Sequence, residues 1–411
     1  MKNYNYLLIT LLFAMQFYAQ PQGCTDVLAQ NYNASAVVNN GSCIYTQATV
    51  FPATTVQLPG VVSETSGQAL WNGYLYTHND SNDSSLYALD TLTASVNQII
   101  ALPGVINYDW EDITHDSEYF YIGDFGNNAN GNRQNLRIIK VRKSSLSDLT
   151  PEIDYINFTY SNQTDFTPAG GNNTNFDCEA FIATQDSLYL FTKQWVSKQT
   201  SVYALPKTAG SYSAALKTTY NVDGLITGAA YVEDKKLIVL IGYSTLLQPF
   251  FYLLYDFSGN DFFSGNKRKV NISAPFHQTE GIATTDGLHY FVSNERFIQA
   301  PFVNVQPKLG YYDLSAFLEN YLSEADLGSQ INSKDAVMLY PNPTDGTLHI
   351  VLRDDTLSTG FEITDMAGKT VMKGTLRSKD SVINISALQD GVYMFSIDMY
   401  KGKAWRLVKE S

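Results

Sequence analysis

The sequence predicts an all-β protein, and two observations support this prediction. The 411 residues include 28 Tyr and 22 Phe, and only 16% of them are charged. Aromatic and β-branched residues suit half-buried strands. A short segment with acidic residues, which we call the acidic corner, also recurs along the chain. Each time two short apolar runs follow it, and the pattern is clearest at 107–128.

The recurring unit predicts a β-propeller. The repeats begin at spacings of 47, 68, 49 and 52 residues, at Glu64, Glu111, Glu179, Gly228 and Glu280. Periods of about 40–55 residues that each hold several short strands are typical of this fold. We therefore predict five blades over residues 48–321, and the 68-residue repeat leaves room for a sixth.

The ring is expected to close through the N-terminal strand. The last repeat lacks a fourth strand before a helical segment at 314–321, while an unassigned strand-like run lies at 49–58. Pairing the two would remove an exposed sheet edge.

The first residues predict export. Residues 1–20 combine Lys2, an apolar run at 6–15 and the small residue Ala19, which is the pattern of a cleaved signal peptide. No other apolar run is long enough to span a bilayer, so we expect no transmembrane segment after cleavage.

Export permits disulfides. Cys24 and Cys43 flank a polar loop and are predicted to pair. Such a loop would contribute about 3 kcal/mol through the unfolded state. Cys178 is left over between two acidic residues, which disfavour the reactive thiolate.

The net charge of −13 argues against nucleic acid as a partner, because phosphates require basic patches. It is compatible with cation binding and with simple solubility.

Residues 21–47 form a short Asn-rich module that is similar to thrombospondin type 3 calcium repeats. The resemblance implies oxygen ligands from Asp26, Asn31 and Asn33. Asn39 and Asn40 stand where such modules usually carry aspartate, which weakens calcium binding. A structural cap and a calcium site both remain open.

The C-terminal part changes character. A polar linker is expected at 322–336, and alternating runs separated by Asp-Gly and Ala-Gly-Lys turns predict a small Ig-like β-sandwich at 337–411. Its motifs, in order, are Leu339-Tyr-Pro-Asn-Pro, 361–369, 383–396 and 405–409. They resemble the type A sorting domain of the type IX secretion system. The resemblance implies that the type IX machinery exports the chain, which ends up secreted or attached to the surface of a Gram-negative bacterium.

Residue counts predict an acidic rim. In four of the repeats the polar residue that ends the second strand follows the acidic corner by 13 or 14 residues. In a propeller these two positions lie on the same face. One rim should therefore collect the metal-ligand candidates Glu64, Asp109, Glu111, Asp124, Glu179 and Glu280. The substrate-binding candidates His78, Asp80, Lys193, Asn294 and Arg296 should lie just outside. Oxygen ligands alone suit calcium or magnesium.

Two classes of function remain open. One is a surface binding or adhesion module for a glycan or protein, with calcium on the rim. The other is a calcium-dependent hydrolase of the phosphoesterase, esterase or lactonase type, with Glu111, Asp124, Glu179 and Glu280 as catalytic candidates. The glutamates could instead accept backbone N–H groups and link neighbouring blades. The binding module is slightly favoured, because no nucleophile–base pair stands out.

Motifs in the first two repeats resemble a group of secreted bacterial propeller proteins. They are Glu64-Thr-Ser-Gly67, His78-Asn-Asp80, Asp109-Trp-Glu-Asp112 and 123–128. The resemblance implies a fold but no activity, and Asn127 stands where the group has Asp. More distantly, the Glu-Gly-Ile and Glu-Ala-Phe corners look like those of phytase-like and gluconolactonase-like propellers, whose rim carboxylates hold calcium.

Overall fold

The computed structural model describes residues 20–410 apart from 82, 333–336, 353–357, 367, 379 and 399–403. The predicted signal peptide therefore lies almost entirely outside the described residues. The chain divides into two compact units, Met1–Glu319 and Asn320–Ser411. The described part contains 32 strands and one α-helix, which confirms the all-β class. No helix in it is long and apolar enough to cross a membrane.

The first compact unit, Met1–Glu319, begins with the disulfide loop. Cys24 and Cys43 are bonded, with Cα atoms 4.8 Å apart, which confirms the predicted pair. Lys267 Nζ donates to the carbonyl of Gly41 at 3.1 Å and so attaches the loop to a later strand. The strands of this N-terminal segment are β1 (Gln22–Gly23), β2 (Val38–Asn39), β3 (Ala48–Val50) and β4 (Thr54–Gln57).

Sixteen strands form four antiparallel, four-stranded units in chain order, and below we number these as the first to the fourth unit. The first unit is β5 (Thr65–Trp71), β6 (Tyr74–Asn79), β7 (Ser85–Leu89) and β8 (Val96–Ala101). The second is β9 (Trp110–His115), β10 (Tyr119–Asp124), β11 (Leu136–Arg142) and β12 (Ile153–Tyr160). The third is β13 (Asp177–Ala183), β14 (Ser187–Lys193), β15 (Thr200–Pro206) and β16 (Gly210–Tyr220). The fourth is β17 (Leu225–Val232), β18 (Leu237–Tyr243), β19 (Pro249–Tyr255) and β20 (Asn266–Ile272).

A fifth unit uses strands from both ends of this region. It contains β21 (Thr279–Ala283) and β22 (His289–Asn294), then, after the hairpin β23 (Phe297–Gln299) and β24 (Val303–Val305), the strand β25 (Lys308–Asp313). β4 pairs antiparallel with β25, so the N-terminal strand completes this unit as predicted. The helix α1 (Ser315–Asn332) follows, and most of the expected linker is therefore helical.

The first strands of the five units contact one another in a closed cycle: β5 with β9, β9 with β13, β13 with β17, β17 with β21, and β21 with β5. Hydrophobic clusters fill the space between neighbouring units, for example Trp110, Phe120 and Leu86 between the first and second. These clusters place the core between the sheets and bring the first strands together.

Two parallel pairings that involve the four-stranded units were not predicted. β3 adds to β20, and β12 pairs with β16, which joins the second and third units into one eight-stranded sheet. Both pairings cover outer edges that would otherwise expose backbone donors and acceptors.

Glycines allow the close approach of the first strands. A Cβ on Gly67 would lie 2.2 Å from the backbone nitrogen of Ile113. On Gly228 or Gly281 it would lie 2.5 Å from a carbonyl oxygen of the adjacent first strand. These positions therefore exclude any side chain.

The second compact unit, Asn320–Ser411, contains two antiparallel sheets. One is β26 (Val337–Tyr340), β27 (Thr347–Leu352) and β30 (Asp380–Asn384). The other is β28 (Thr359–Asp365), β29 (Thr370–Leu376), β31 (Gly391–Ile397) and β32 (Ala404–Lys409). Leu348, Ile363 and Phe395 share one core with residues from both sheets.

The variant Gly67→Ala tests the close contact. We expect it to lower the free energy of unfolding by about 1–3 kcal/mol, because the added methyl group overpacks a backbone contact. Gly60→Ala is the matched control, since no atom lies within 4 Å of the added Cβ. Urea unfolding of both variants measures the difference. Equal stability of the two would show that the contact at Gly67 is not tight.

Candidate functional site

One pocket lies where the first strands begin and the second strands end. Its volume is about 160 Å³, and it holds seven carboxyl-bearing side chains and one lysine. We call it the acidic pocket. Its lining residues are Glu64, Ser66, Asp80, Asp109, Glu111, Asn128, Asn172, Glu179, Lys193, Trp195, Tyr243, Gln278, Glu280 and Glu295.

A β-bulge near the start of each first strand determines which side chains reach this pocket. The bulges place Glu111, Glu179 and Glu280 at unpaired positions of their strands. Bulges re-aim side chains and often lie beside functional sites. The corresponding residue of the first unit is Ser66, not Glu64, and that of the fourth is Thr227.

Three carboxylates lie close enough to share an ion. Candidate ligand oxygens of Glu111, Asp177 and Glu179 all lie within 4.8 Å of one another. Asp177 is held in place, because it accepts hydrogen bonds from the backbone of Asn127 at 2.6 Å and from Trp195 Nε1 at 2.7 Å. The ligand set contains oxygen only.

Lys193 supplies the positive charge of the pocket. Its Nζ forms an ion pair with Glu179 Oε2. The same atom lies 4.7 Å from the ring centroid of Trp195 and 5.0 Å from that of Tyr243. This ammonium is therefore already committed to one carboxylate and two aromatic rings.

Two carboxylates of the pocket each have a buried oxygen with no hydrogen-bond partner among the described residues, Oδ1 of Asp80 and Oε2 of Glu280. Glu280 is 6% exposed. A buried polar atom without a hydrogen-bond partner costs free energy. Such an atom therefore indicates where a bound ligand or ion could supply the partner.

Burial raises the pKa of several carboxyls of the pocket. It raises the pKa of Glu280 to about 8, and it raises the pKa of Asp80 to about 7, where the charge of Glu64 adds to the effect. Burial also raises the pKa of Asp109 to about 6 and the pKa values of Glu111 and Glu179 well above the ordinary range. One ammonium does not offset this negative charge, so the pocket must take up protons or a cation.

Links between neighbouring units come from other residues. Asp112 accepts the backbone N–H of Phe181 at 3.0 Å, and Thr227 Oγ1 donates to the carbonyl of Thr279 at 2.5 Å. Ser66 Oγ donates to the carbonyl of Glu111. Asp112 performs the linking role that the sequence offered as an alternative for the glutamates.

Two rim predictions are corrected. His78 is fully buried, packs edge-on against Trp110 with ring centroids 5.5 Å apart, and does not line the pocket. Asp124, a catalytic and metal candidate, is also fully buried outside the pocket. Its two oxygens accept from Arg133 Nη2 and Arg137 Nε, each at 2.9 Å.

Two further substrate-binding candidates lie elsewhere. Asn294 Nδ2 donates to the carbonyls of Glu295 and Gln306, at 2.8 and 3.0 Å, and so fixes the backbone. Arg296 is exposed and is not among the pocket residues.

The loop candidates already accept hydrogen bonds from the chain itself. Asp26 Oδ2 accepts from the hydroxyls of Tyr45 and Tyr255, at 2.8 and 2.6 Å. Asn31 Oδ1 accepts from a backbone N–H at 2.8 Å, and Asn33 Oδ1 does so at 3.0 Å. These contacts favour the structural cap over the calcium site.

Several pocket residues were missed from the sequence. Ser66 could have been found by aligning Thr65-Ser-Gly67 with Thr279-Glu-Gly281, which carry the bulge at the same place. Tyr243 ends the second strand of its unit, as Lys193 does. Asn128, Asn172 and Gln278 come from loops, for which the repeat gave no signal.

Comparison with known proteins identifies the C-terminal part. Residues 338–409 match the family model of the secretion system C-terminal sorting domain, which confirms that prediction. The type IX secretion machinery therefore handles the chain, and the protein is secreted or attached to the cell surface, as proteins of Bacteroidetes with this domain are. The comparison with curated proteins finds no match.

Solved structures show only low similarity. PorZ, a surface component of the type IX secretion system of Porphyromonas gingivalis, is 12% identical with a TM-score of 0.31, and the match covers 84% of this chain and 45% of that one. An exo-β-1,3-galactanase from Phanerochaete chrysosporium is 11% identical with a TM-score of 0.40, over 88% of this chain and 97% of that one. The chain thus spans less than half of the first protein, and both scores are too low to establish a common fold.

The raised pKa values predict how stability depends on pH. Carboxyls whose pKa is higher in the folded than in the unfolded state stabilise the fold at low pH and lose this contribution as pH rises through the folded pKa. In EDTA, we expect the unfolding free energy of the wild type to fall between about pH 4.5 and 8 relative to that of Glu280→Gln, which cannot ionise at this position. In this range the carboxyl is ionised in the unfolded chain and still protonated in the folded one. The charged groups that line the pocket with Glu280 or interact with it electrostatically are Glu64, Asp80, Asp109, Glu111, Asp112, Asp177, Glu179, Lys193 and Glu295.

Urea unfolding at three pH values measures this difference. Groups outside the pocket titrate alike in both proteins, so the difference reports on Glu280 and the pocket groups that interact with it. Parallel pH profiles for the two proteins would contradict the expectation.

Proposed function

We propose that residues 48–321 form a five-bladed β-propeller that acts as a binding module at the cell surface and holds a calcium ion in the acidic pocket. Five first strands in a closed cycle, each leading an antiparallel four-stranded unit, support the blade number. The type IX sorting domain accounts for delivery of this module to the outside.

The unpartnered Oε2 of Glu280 carries the proposal of a cation site. It lies in the same pocket as Glu111 and Glu179, which offer carboxylate oxygens close to each other. Calcium takes 6–8 oxygen ligands in flexible geometry, and carboxylates, amide oxygens and water together can supply them. No histidine or cysteine is among the pocket residues, so the donor set fits calcium or magnesium better than zinc.

Binding is favoured over catalysis because the pocket offers no activated nucleophile. The hydroxyl of Ser66 donates to a backbone carbonyl, and His78 lies buried outside the pocket. A calcium ion held by protein carboxylates on one side keeps positions for ligand oxygens on the open side. The module would thus bind an oxygen-rich group of a glycan or protein.

One observation favours a second candidate, a calcium-dependent hydrolase of the phosphoesterase, esterase or lactonase type. The pKa values of about 8 for Glu280 and about 7 for Asp80 lie near neutrality, which is the range that suits general acid–base catalysis. In this case Glu111 and Glu179 would hold the ion, and Glu280 would transfer the proton.

Thermal unfolding of residues 21–411, the chain expected after cleavage of the signal peptide, tests the cation site. Calcium added after EDTA treatment should raise the melting temperature of the wild type by several degrees, because an ion that binds only the folded state stabilises it by about 2.7 kcal/mol at a hundredfold excess over Kd. Glu280→Gln should lose most of this shift. Asp148→Asn, which changes an exposed carboxylate outside the pocket, should keep it.

Two outcomes would contradict the cation proposal. One is a wild type that calcium does not stabilise. The other is a shift that survives Glu280→Gln but disappears in Asp26→Asn, because the ion would then occupy the disulfide loop. A different result would favour the hydrolase. The wild type would turn over ester, lactone or phosphoester substrates, and Glu280→Gln would abolish this turnover while still binding calcium.

A further inference from the structure

We propose that the protein has a second ligand site, independent of the cation, that binds a neutral oligosaccharide. The site is a groove of about 540 Å³ where β11, β12 and β16 lie side by side. We call it the polar groove. It exists because β12 and β16, the last strands of two different four-stranded units, pair in parallel.

The floor of the polar groove is a flat array of amides and hydroxyls. Asn157 lies opposite Arg137 on one side and Ser211 on the other, and Thr159 lies opposite Ser213. Paired positions on adjacent strands face the same side of a sheet. Asn157, Thr159, Ser211 and Ser213 are all exposed, whereas the intervening Phe158 is buried.

An aromatic wall stands beside this floor. Tyr108 is 51% exposed and lines the groove. The guanidinium of Arg137 lies 4.8 Å from its ring centroid and 5.0 Å from that of Tyr155. This contact holds an accessible tyrosine ring next to the polar floor.

The groove offers no net charge to a ligand. Among the described residues, no carboxylate lines it and Arg137 is its one cation. Arg137 is paired with the buried Asp124 at 2.9 Å and also donates to the carbonyl of Ile106 at 2.6 Å. An anionic ligand or a nucleic acid would need uncommitted positive charge.

The exposed strand residues of the groove floor, Asn157, Thr159, Ser211 and Ser213, are polar, whereas protein partners and lipids depend on an apolar centre. Amides and hydroxyls that can both donate and accept, next to an amphipathic ring, match a ligand rich in hydroxyls with apolar C–H faces. The volume lies within the range of about 300–1,000 Å³ that is usual for small-ligand sites. A short neutral oligosaccharide fits these requirements.

Calorimetric titration of residues 21–411 tests the proposal, with cellotetraose, maltotetraose, xylotetraose and mannotetraose as neutral probes and tetragalacturonate as the charged one. We expect at least one neutral probe to bind, and Tyr108→Ala and Asn157→Ala each to weaken it about tenfold, which corresponds to the loss of one good contact. Lys217→Ala, on β16 outside the groove, is the matched control.

Binding should persist in EDTA and in Glu280→Gln, so failure of the cation site leaves this proposal standing. Melting curves check that both groove variants remain folded. The proposal is overturned if none of the neutral probes binds, if only tetragalacturonate binds, or if both groove variants bind like the control. It is also overturned if EDTA or Glu280→Gln abolishes binding, because the sugar would then occupy the acidic pocket.

Discussion

The close approach of the first strands of the five four-stranded units is the constraint on which the rest of the compact unit Met1–Glu319 depends. Gly67, Gly228 and Gly281 bring backbones to distances that exclude a Cβ. Hydrophobic clusters between the units keep the strands there. With the strands this close, bulges near the strand starts turn Glu111, Glu179 and Glu280 into one small pocket.

Concentrating carboxylates in this pocket has an electrostatic cost. Lys193 pairs with Glu179, while Glu280 keeps a buried oxygen without a partner. A structure that needed these groups only for stability would pair them or replace them by apolar residues. Linking between units is already the work of Asp112 and Thr227. The unpartnered oxygen of Glu280 is therefore the reason for the proposed cation, which would supply the missing partner.

Sequence reasoning succeeded where the signal was local and repeated. The Thr-Glu-Gly and Cys-Glu-Ala corners predicted that Glu280 and Glu179 would lie in one pocket, and the C-terminal motifs predicted the sorting domain. It failed for His78 and Asp124, because counting residues locates the end of a strand without fixing the direction of the side chain. The polar groove could not be predicted, since no local pattern shows that β12 and β16 pair.

The most direct test of the central claim is calorimetric titration of calcium into the EDTA-treated protein near pH 7, in two buffers with different heats of ionisation. A cation in the acidic pocket must displace protons from carboxyls such as Glu280, whose pKa of about 8 keeps it largely protonated at this pH. The account predicts one bound ion per chain and a binding heat that depends on the buffer. Absence of binding, or binding without proton release, would contradict it.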